Sequence, residues 1–202
     1  MDCDVYILIT RSKTCFSRLI HLSTAAPYTH VSIGLDGLDG DFYSFSRKYA
    51  RLALPAGMVR EGIDGGEAIP YRLYRLRVSP KAYSRIRERL EDMYCCRACY
   101  RFNLLGALAA FFHFPLPRRG RYFCSQFVAE TLQNCGALEL GKNPARVRPI
   151  DFCHITGLHL VSEGFIGRLG SGRSFPAPSE VVSILPFGRS FLRAYRSRRW
   201  SR

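Results

Sequence analysis

The sequence predicts an α+β protein in which an antiparallel sheet packs against helices. β-type segments come first, and helix-type segments then cluster in the middle of the chain. From Ile69 to Val78 the residues alternate between two faces, which is typical of a strand. Turn-forming residues at Asp36–Gly40 separate two β-type segments, which indicates a hairpin-like antiparallel pair.

The individual elements follow from local pattern. Residues 55–68 are rich in glycine and charge and are predicted to form a loop. Pro80 is placed at the start of one helix, and Gly136 at the end of another. Strands are predicted at Asp4–Thr10, Thr29–Leu35, Phe42–Arg47, Ile69–Val78 and His159–Ser162. Helices are predicted at Cys15–Leu22 after an N-cap at Thr14, and at Lys81–Cys99, Leu104–Phe112 and Cys124–Cys135.

The length of 202 residues fits one domain with a short appendage. We expect a domain over residues 1–170, a Gly/Pro/Ser-rich linker over 171–179 and a basic tail over 180–202. No apolar run approaches the ~18 residues that a membrane-spanning helix needs. The N-terminus has no basic segment followed by a cleavage site, so we expect a cytoplasmic protein.

The net charge of +14, which comes mainly from arginine, favours anionic partners. No nucleic-acid-binding motif accompanies the charge, so a specific nucleic-acid partner is not expected. The tail places Phe187, Phe191, Leu192 and Tyr195 at helical spacing among arginines. Such a helix can lie on an anionic membrane surface. The alternative is a terminal helix packed on the domain.

The 8 cysteines show no regular framework, and in a cytoplasmic protein they stay reduced. Cys96 and Cys99 have CxxC spacing, but a structural zinc site needs a second ligand pair at comparable spacing, which the sequence lacks. We therefore predict no metal site, and we expect the cysteines near position 95 to be packing residues on a helix.

Two segments together indicate thiol chemistry. Cys124 begins a predicted helix, whose free N–H groups and partial positive charge favour a thiolate and can hold an oxyanion. His30 begins a predicted strand, where an imidazole can be held beside such a helix. Ser44 or Ser46 on the next strand can orient the ring, which completes the usual arrangement for a nucleophilic cysteine.

The order of a histidine strand, a polar strand and a later cysteine helix resembles the circularly permuted papain-like amidases of the NlpC superfamily, and most closely their YiiX-like branch. The resemblance covers about residues 4–168, and its most specific block surrounds Cys124. The segments that carry it are 29–36 (THVSIGLD), 42–48 (FYSFSRK), 122–129 (YFCSQFVA) and 149–152 (PIDF).

The resemblance implies a papain-like fold with Cys124 as nucleophile and His30 as base. Where relatives have an acidic third residue, this chain has Ser44; Asp36 and Glu61 are the alternatives. Candidates for binding substrate or the oxyanion are Tyr6, Gln126 and Asn103, the last of which can equally be a helix cap.

The expected activity is hydrolysis of amide bonds in peptides or peptidoglycan-derived fragments through a thioester, without a metal or organic cofactor. Two alternatives stay open. One is a thiol acyltransferase or lipid esterase related to lecithin retinol acyltransferase-like proteins. The other is a non-catalytic binding module on the same fold.

Overall fold

A computed structural model describes residues 2–11, 27–37, 40–47, 56–62 and 69–166. The predicted helix at Cys15–Leu22, the linker at 171–179 and the basic tail at 180–202 lie outside these residues.

The strands of the described residues are β1 Cys3–Thr10, β2 His30–Gly34, β3 Phe42–Arg47, β4 Ala56–Glu61, β5 Ile69–Val78, β6 Arg101–Phe102, β7 Arg121–Tyr122 and β8 His159–Ile166. Six of these strands form one sheet in the order β4-β3-β2-β1-β5-β8. Every neighbouring pair in this sheet is antiparallel. The two short strands β6 and β7 form a separate parallel pair.

The described residues form three α-helices: α1 Pro80–Cys95, α2 Leu104–Phe111 and α3 Cys124–Asn134. α1 begins as predicted, because Pro80 occupies its first turn and the Ser79 hydroxyl accepts the N–H of Ala82. It ends earlier than predicted, and the chain continues as a 3-10 helix at Arg97–Cys99. Further 3-10 helices lie at Pro144–Arg146 and Pro149–His154.

The sheet carries apolar side chains on both faces. Val5, Ile7 and Ile9 of β1 lie in the main core, which also contains buried residues of α1 and α3. Leu8, from the other face of the same strand, packs in a smaller cluster with Phe42, Tyr71 and Leu73. The predicted α+β architecture, an antiparallel sheet with helices packed on it, is therefore observed.

The predicted loop at residues 55–68 is wrong for its first half. Ala56–Glu61 is strand β4, and all six of its residues pair with β3. Among the strands that the structure describes, β4 is at the edge of the sheet, where glycine and charged residues are tolerated because only one side of the strand pairs with a described neighbour. Because of this glycine and charge content, the strand was not predicted from the sequence, although Met58 is fully buried.

None of the described helices is both long enough and apolar enough to cross a membrane.

Candidate active site

α3 begins at Cys124 without a side-chain cap. Its N-cap residue, Phe123, has extended backbone and makes no capping hydrogen bond through its side chain. The other two described α-helices are capped by Ser79 and Asn103. The N–H groups of the first turn of a helix have no partner within the helix. Because Phe123 has no polar side chain to accept them, the backbone N–H groups near Cys124 are left available to an incoming oxyanion.

His30 is the first residue of β2 and pairs with Thr10 of β1. The Cys124 side chain lies close enough to this imidazole to raise the pKa of His30 through hydrogen bonding and charge. Both groups are largely buried, with 8% of Cys124 and 13% of the His30 side chain exposed. The structure thus brings together two residues that are far apart in the sequence, and α3 packs directly on β2 and β3.

The carboxylate of Glu61 holds the other side of the His30 ring. Glu61 Oε2 lies 2.9 Å and Oε1 3.1 Å from His30 Nε2. Since Glu61 occupies Nε2, Nδ1 is the ring nitrogen left for the thiol of Cys124. In this arrangement one ring nitrogen of the histidine is held by a carboxylate and the other is available to a thiol. A cysteine is commonly activated by a histidine that a third group orients in this way.

The electrostatics of the site favour a protonated imidazole. Burial by itself lowers the pKa of His30, but the negative charge of Glu61 and the hydrogen bonds to Cys124 and Glu61 outweigh it. Together they raise the pKa of His30 well above its usual value of 6.5. The ring can therefore carry positive charge at neutral pH between a carboxylate and a sulfur atom.

Ser44 does not orient the His30 ring. Its hydroxyl is fully buried and donates a hydrogen bond to the carbonyl oxygen of Val31, 2.7 Å away. Asp36 lines a cavity of about 250 Å³ whose described lining includes neither His30 nor Cys124. Of the three residues considered for the third position, the structure places only Glu61 against the imidazole.

Two oxyanion candidates are placed elsewhere. Tyr6 pairs with Gly34, four residues along β2 from His30, and its ring lies beside Gly37. The side-chain N–H of Gln126 is donated to Glu130 at 3.1 Å. The backbone N–H groups at the start of α3 are donors beside Cys124.

Asn103 is a structural cap. Its Oδ1 accepts the N–H of Gly106 at 3.0 Å, and its Nδ2 donates to the carbonyl of Leu116 at 2.9 Å. Its backbone N–H donates to the carbonyl of Tyr122 at 2.8 Å. Asn103 is 1% exposed, so the helix-cap interpretation describes its contacts.

Gly106→Ala is expected to destabilise the protein by about 2 kcal/mol. A β-carbon at position 106 would meet the Asn103 amide inside van der Waals contact and would lie 2.9 Å from the carbonyl oxygen of Leu116. Helix propensity alone predicts the opposite sign, a gain of about 1 kcal/mol. Urea unfolding measures the difference. The neighbouring change Ala107→Gly is the control and should cost about 1 kcal/mol. A more stable Gly106→Ala protein would contradict the packing around this glycine.

The expectation that the cysteines near position 95 are packing residues is wrong. Cys95, Cys96 and Cys99 are exposed, because α1 ends at Cys95 and its buried face consists of Ala82, Ile86, Leu90 and Met93. In the part of the chain that the structure describes, no group of three or more histidine, cysteine or acidic side chains is placed to hold a metal ion.

No family model, curated protein or solved structure matches this chain. The geometry of His30, Glu61 and Cys124 is therefore the basis on which a function can be proposed.

Proposed function

We propose that the chain is a cysteine-dependent hydrolase of amide bonds, with a circularly permuted papain-like fold. The observation that carries the proposal is the His30 imidazole, which is held by the Glu61 carboxylate at 2.9 Å and whose pKa is raised by the nearby Cys124 side chain. Peptides or peptidoglycan-derived fragments are the proposed substrate class, by resemblance to the NlpC superfamily.

The proposed reaction has two halves. The Cys124 thiolate attacks the amide carbonyl carbon, and the N–H groups at the start of α3 hold the oxyanion. His30 protonates the departing amine as the C–N bond breaks, which leaves an acyl thioester on Cys124. Water then attacks the thioester and gives its proton to His30, and the acid and the thiolate are released. Glu61 keeps the ring oriented and stabilises its charge throughout.

A thiol acyltransferase or lipid esterase is the second candidate. It is favoured by Leu104 and Leu105, two exposed apolar residues at the start of α2, which follows the strand that pairs with β7 before α3. In that reaction an alcohol or amine replaces water in the second half.

Alkylation by iodoacetamide at pH 6 tests whether Cys124 is activated. Exposure alone predicts that Cys95, Cys96 and Cys99 react first and that the buried Cys124 reacts slowly. An ordinary thiol of pKa about 8.5 is less than about 1% thiolate at this pH. We expect Cys124 to be alkylated about tenfold faster than the three exposed cysteines, as followed by peptide mass spectrometry.

The control within the same molecule is Cys135, a buried cysteine at the other end of α3. Burial raises the pKa of the Cys135 thiol, so it should react slowest. His30→Gln should reduce the rate at Cys124 to that of an ordinary buried thiol. Labelling of Cys124 no faster than that of Cys135 would favour the non-catalytic binding module.

A further inference from the structure

α2 and the segment after it expose large apolar side chains. The exposed fractions are 45% for Leu104, 54% for Leu105, 77% for Phe112 and 63% for Phe114. Single exposed apolar residues are ordinary, but a set within eleven consecutive positions marks an interaction surface. α2 itself is Leu-Leu-Gly-Ala-Leu-Ala-Ala-Phe and has no polar face.

The charged residues in this part of the chain have one sign. No acidic residue lies between Asp92 and Glu130, a stretch that contains five arginines. Arg101 precedes α2, and Arg118 and Arg119 follow the apolar segment; all three are exposed. A surface of this kind, apolar in the middle and cationic at the edge, is complementary to an anionic lipid bilayer. Two copies of it would bring like charges together, which disfavours self-association.

Hydrogen bonds hold this segment in place. Asn103 joins the start of α2 to Leu116 in the returning chain. The N–H of Arg101 donates to the carbonyl of Gly120 at 3.0 Å, and the N–H of Phe114 donates to that of Ala109 at 2.9 Å. The exposed side chains are therefore presented by a segment whose two ends are tied together.

The same segment lies beside the candidate site. Phe102 of β6 pairs with Tyr122 of β7, and the two strands are parallel. Each strand is followed two residues later by a helix, α2 after β6 and α3 after β7. Leu104, the first residue of α2, and Cys124, the first residue of α3, therefore each come two residues after a member of this strand pair.

We infer that this surface, formed by Leu104, Leu105, Phe112 and Phe114 with Arg101, Arg118 and Arg119, docks on an anionic lipid bilayer. Its apolar side chains enter the interface between headgroups and acyl chains, and its arginines contact the anionic headgroups. The inference concerns binding and does not depend on Cys124 being catalytic.

Vesicle flotation with the full chain tests the inference. The vesicles contain phosphatidylcholine alone or phosphatidylcholine mixed with phosphatidylglycerol. We expect binding to the mixed vesicles that weakens as salt increases, because exposed charges are screened. Leu105→Ser with Phe114→Ser should reduce the partition coefficient about tenfold. Arg118→Glu with Arg119→Glu should reduce it by a similar factor.

Matched variants distinguish this surface from exposed leucines elsewhere and from the basic tail. Leu160→Ser changes a similarly exposed leucine on β8, 48% exposed, and should leave binding unchanged. Arg198→Glu with Arg199→Glu in the tail should leave most of the binding in place. Circular dichroism of each variant checks that it is folded, and the arginine variant tests the surface without changing an apolar residue.

Three outcomes would overturn the inference. One is equal binding to neutral and anionic vesicles. Another is loss of binding only when the tail is changed, which would assign the membrane contact to residues 180–202. The third is a dimer in light scattering that the Leu105→Ser and Phe114→Ser changes dissociate, without lipid binding by the wild-type protein.

Discussion

Cys124→Ala is expected to lower kcat/KM by about 10⁴-fold or more for any amide or ester that the wild-type protein cleaves. The thiol supplies the bond to the acyl group, and neither the imidazole nor the N–H groups at the start of α3 can replace it. A panel of fluorogenic dipeptide amides and acyl esters measures the loss. Mass spectrometry of the intact protein detects the acyl group on the wild-type chain and its absence from the variant.

Two further variants make this result specific. Cys135→Ala removes a buried cysteine from the other end of α3, away from any histidine contact described for the site, and should keep turnover near the wild-type value. His30→Gln keeps a polar side chain beside Glu61 but removes the base, and should lower kcat/KM by about 10³-fold or more. A Cys124→Ala protein that retains most of its turnover would exclude the thioester mechanism. A wild-type protein that cleaves nothing on the panel would favour the binding module.

Glu61→Gln is expected to lower the pKa of His30 and to reduce kcat by about 10²-fold or more. Burial lowers the pKa of His30, and the Glu61 charge is the largest of the contributions that raise it. Without that charge, the imidazolium loses its proton at lower pH, so the basic limb of the activity profile moves to lower pH. Titration of the His30 ring by NMR, with resonances assigned through His30→Gln, measures the pKa without a substrate.

The comparison with Ser44→Ala distinguishes Glu61 from Ser44 as the residue that orients the His30 ring. Ser44→Ala removes the hydrogen bond to Val31 and should cost about 1 kcal/mol of stability. It should leave the pKa of His30 and the shape of the pH profile unchanged. If Ser44→Ala shifted the pKa of His30 and Glu61→Gln did not, Ser44 rather than Glu61 would be the residue that orients the ring.

The His30 pKa also has a consequence for folding. A pKa that is higher in the folded protein than in the unfolded chain means that the folded state holds the proton more tightly. The resulting stabilisation is fully present below about pH 6.5, the pKa of an ordinary histidine, and it is lost as the pH rises through the raised pKa of His30. In Glu61→Gln this loss should occur at lower pH, which urea unfolding at several pH values measures.

Most of the sheet could be predicted because its strands have a local signature. The predicted strands at Asp4–Thr10, Phe42–Arg47 and Ile69–Val78 match β1, β3 and β5 to within one residue. β4 was missed because Gly57, Arg60 and Glu61 are typical of loops, and only pairing with β3 makes them a strand. Pairing between strands is a long-range interaction, which the pattern within one segment does not contain.

Cys124 at a helix start and His30 at a strand start were likewise predicted from local pattern. The resemblance to the NlpC superfamily implied that they meet, and the packing of α3 on β2 brings them close together. The third residue could not be chosen in the same way. Ser44 lies on the neighbouring strand, while Glu61 lies one strand further away and was assigned to a loop.

The sequence by itself determined the fold class, most of the strands, the start of α3 at Cys124 and the position of His30 at the beginning of β2. These features depend on the spacing of apolar residues and on turn and cap residues, which act over a few positions. Only the tertiary structure decided that Glu61 holds the imidazole, that Cys95, Cys96 and Cys99 are exposed and that α2 and the segment after it expose large apolar side chains. Each of these depends on which elements pack together, and that is set by contacts between residues far apart in the chain.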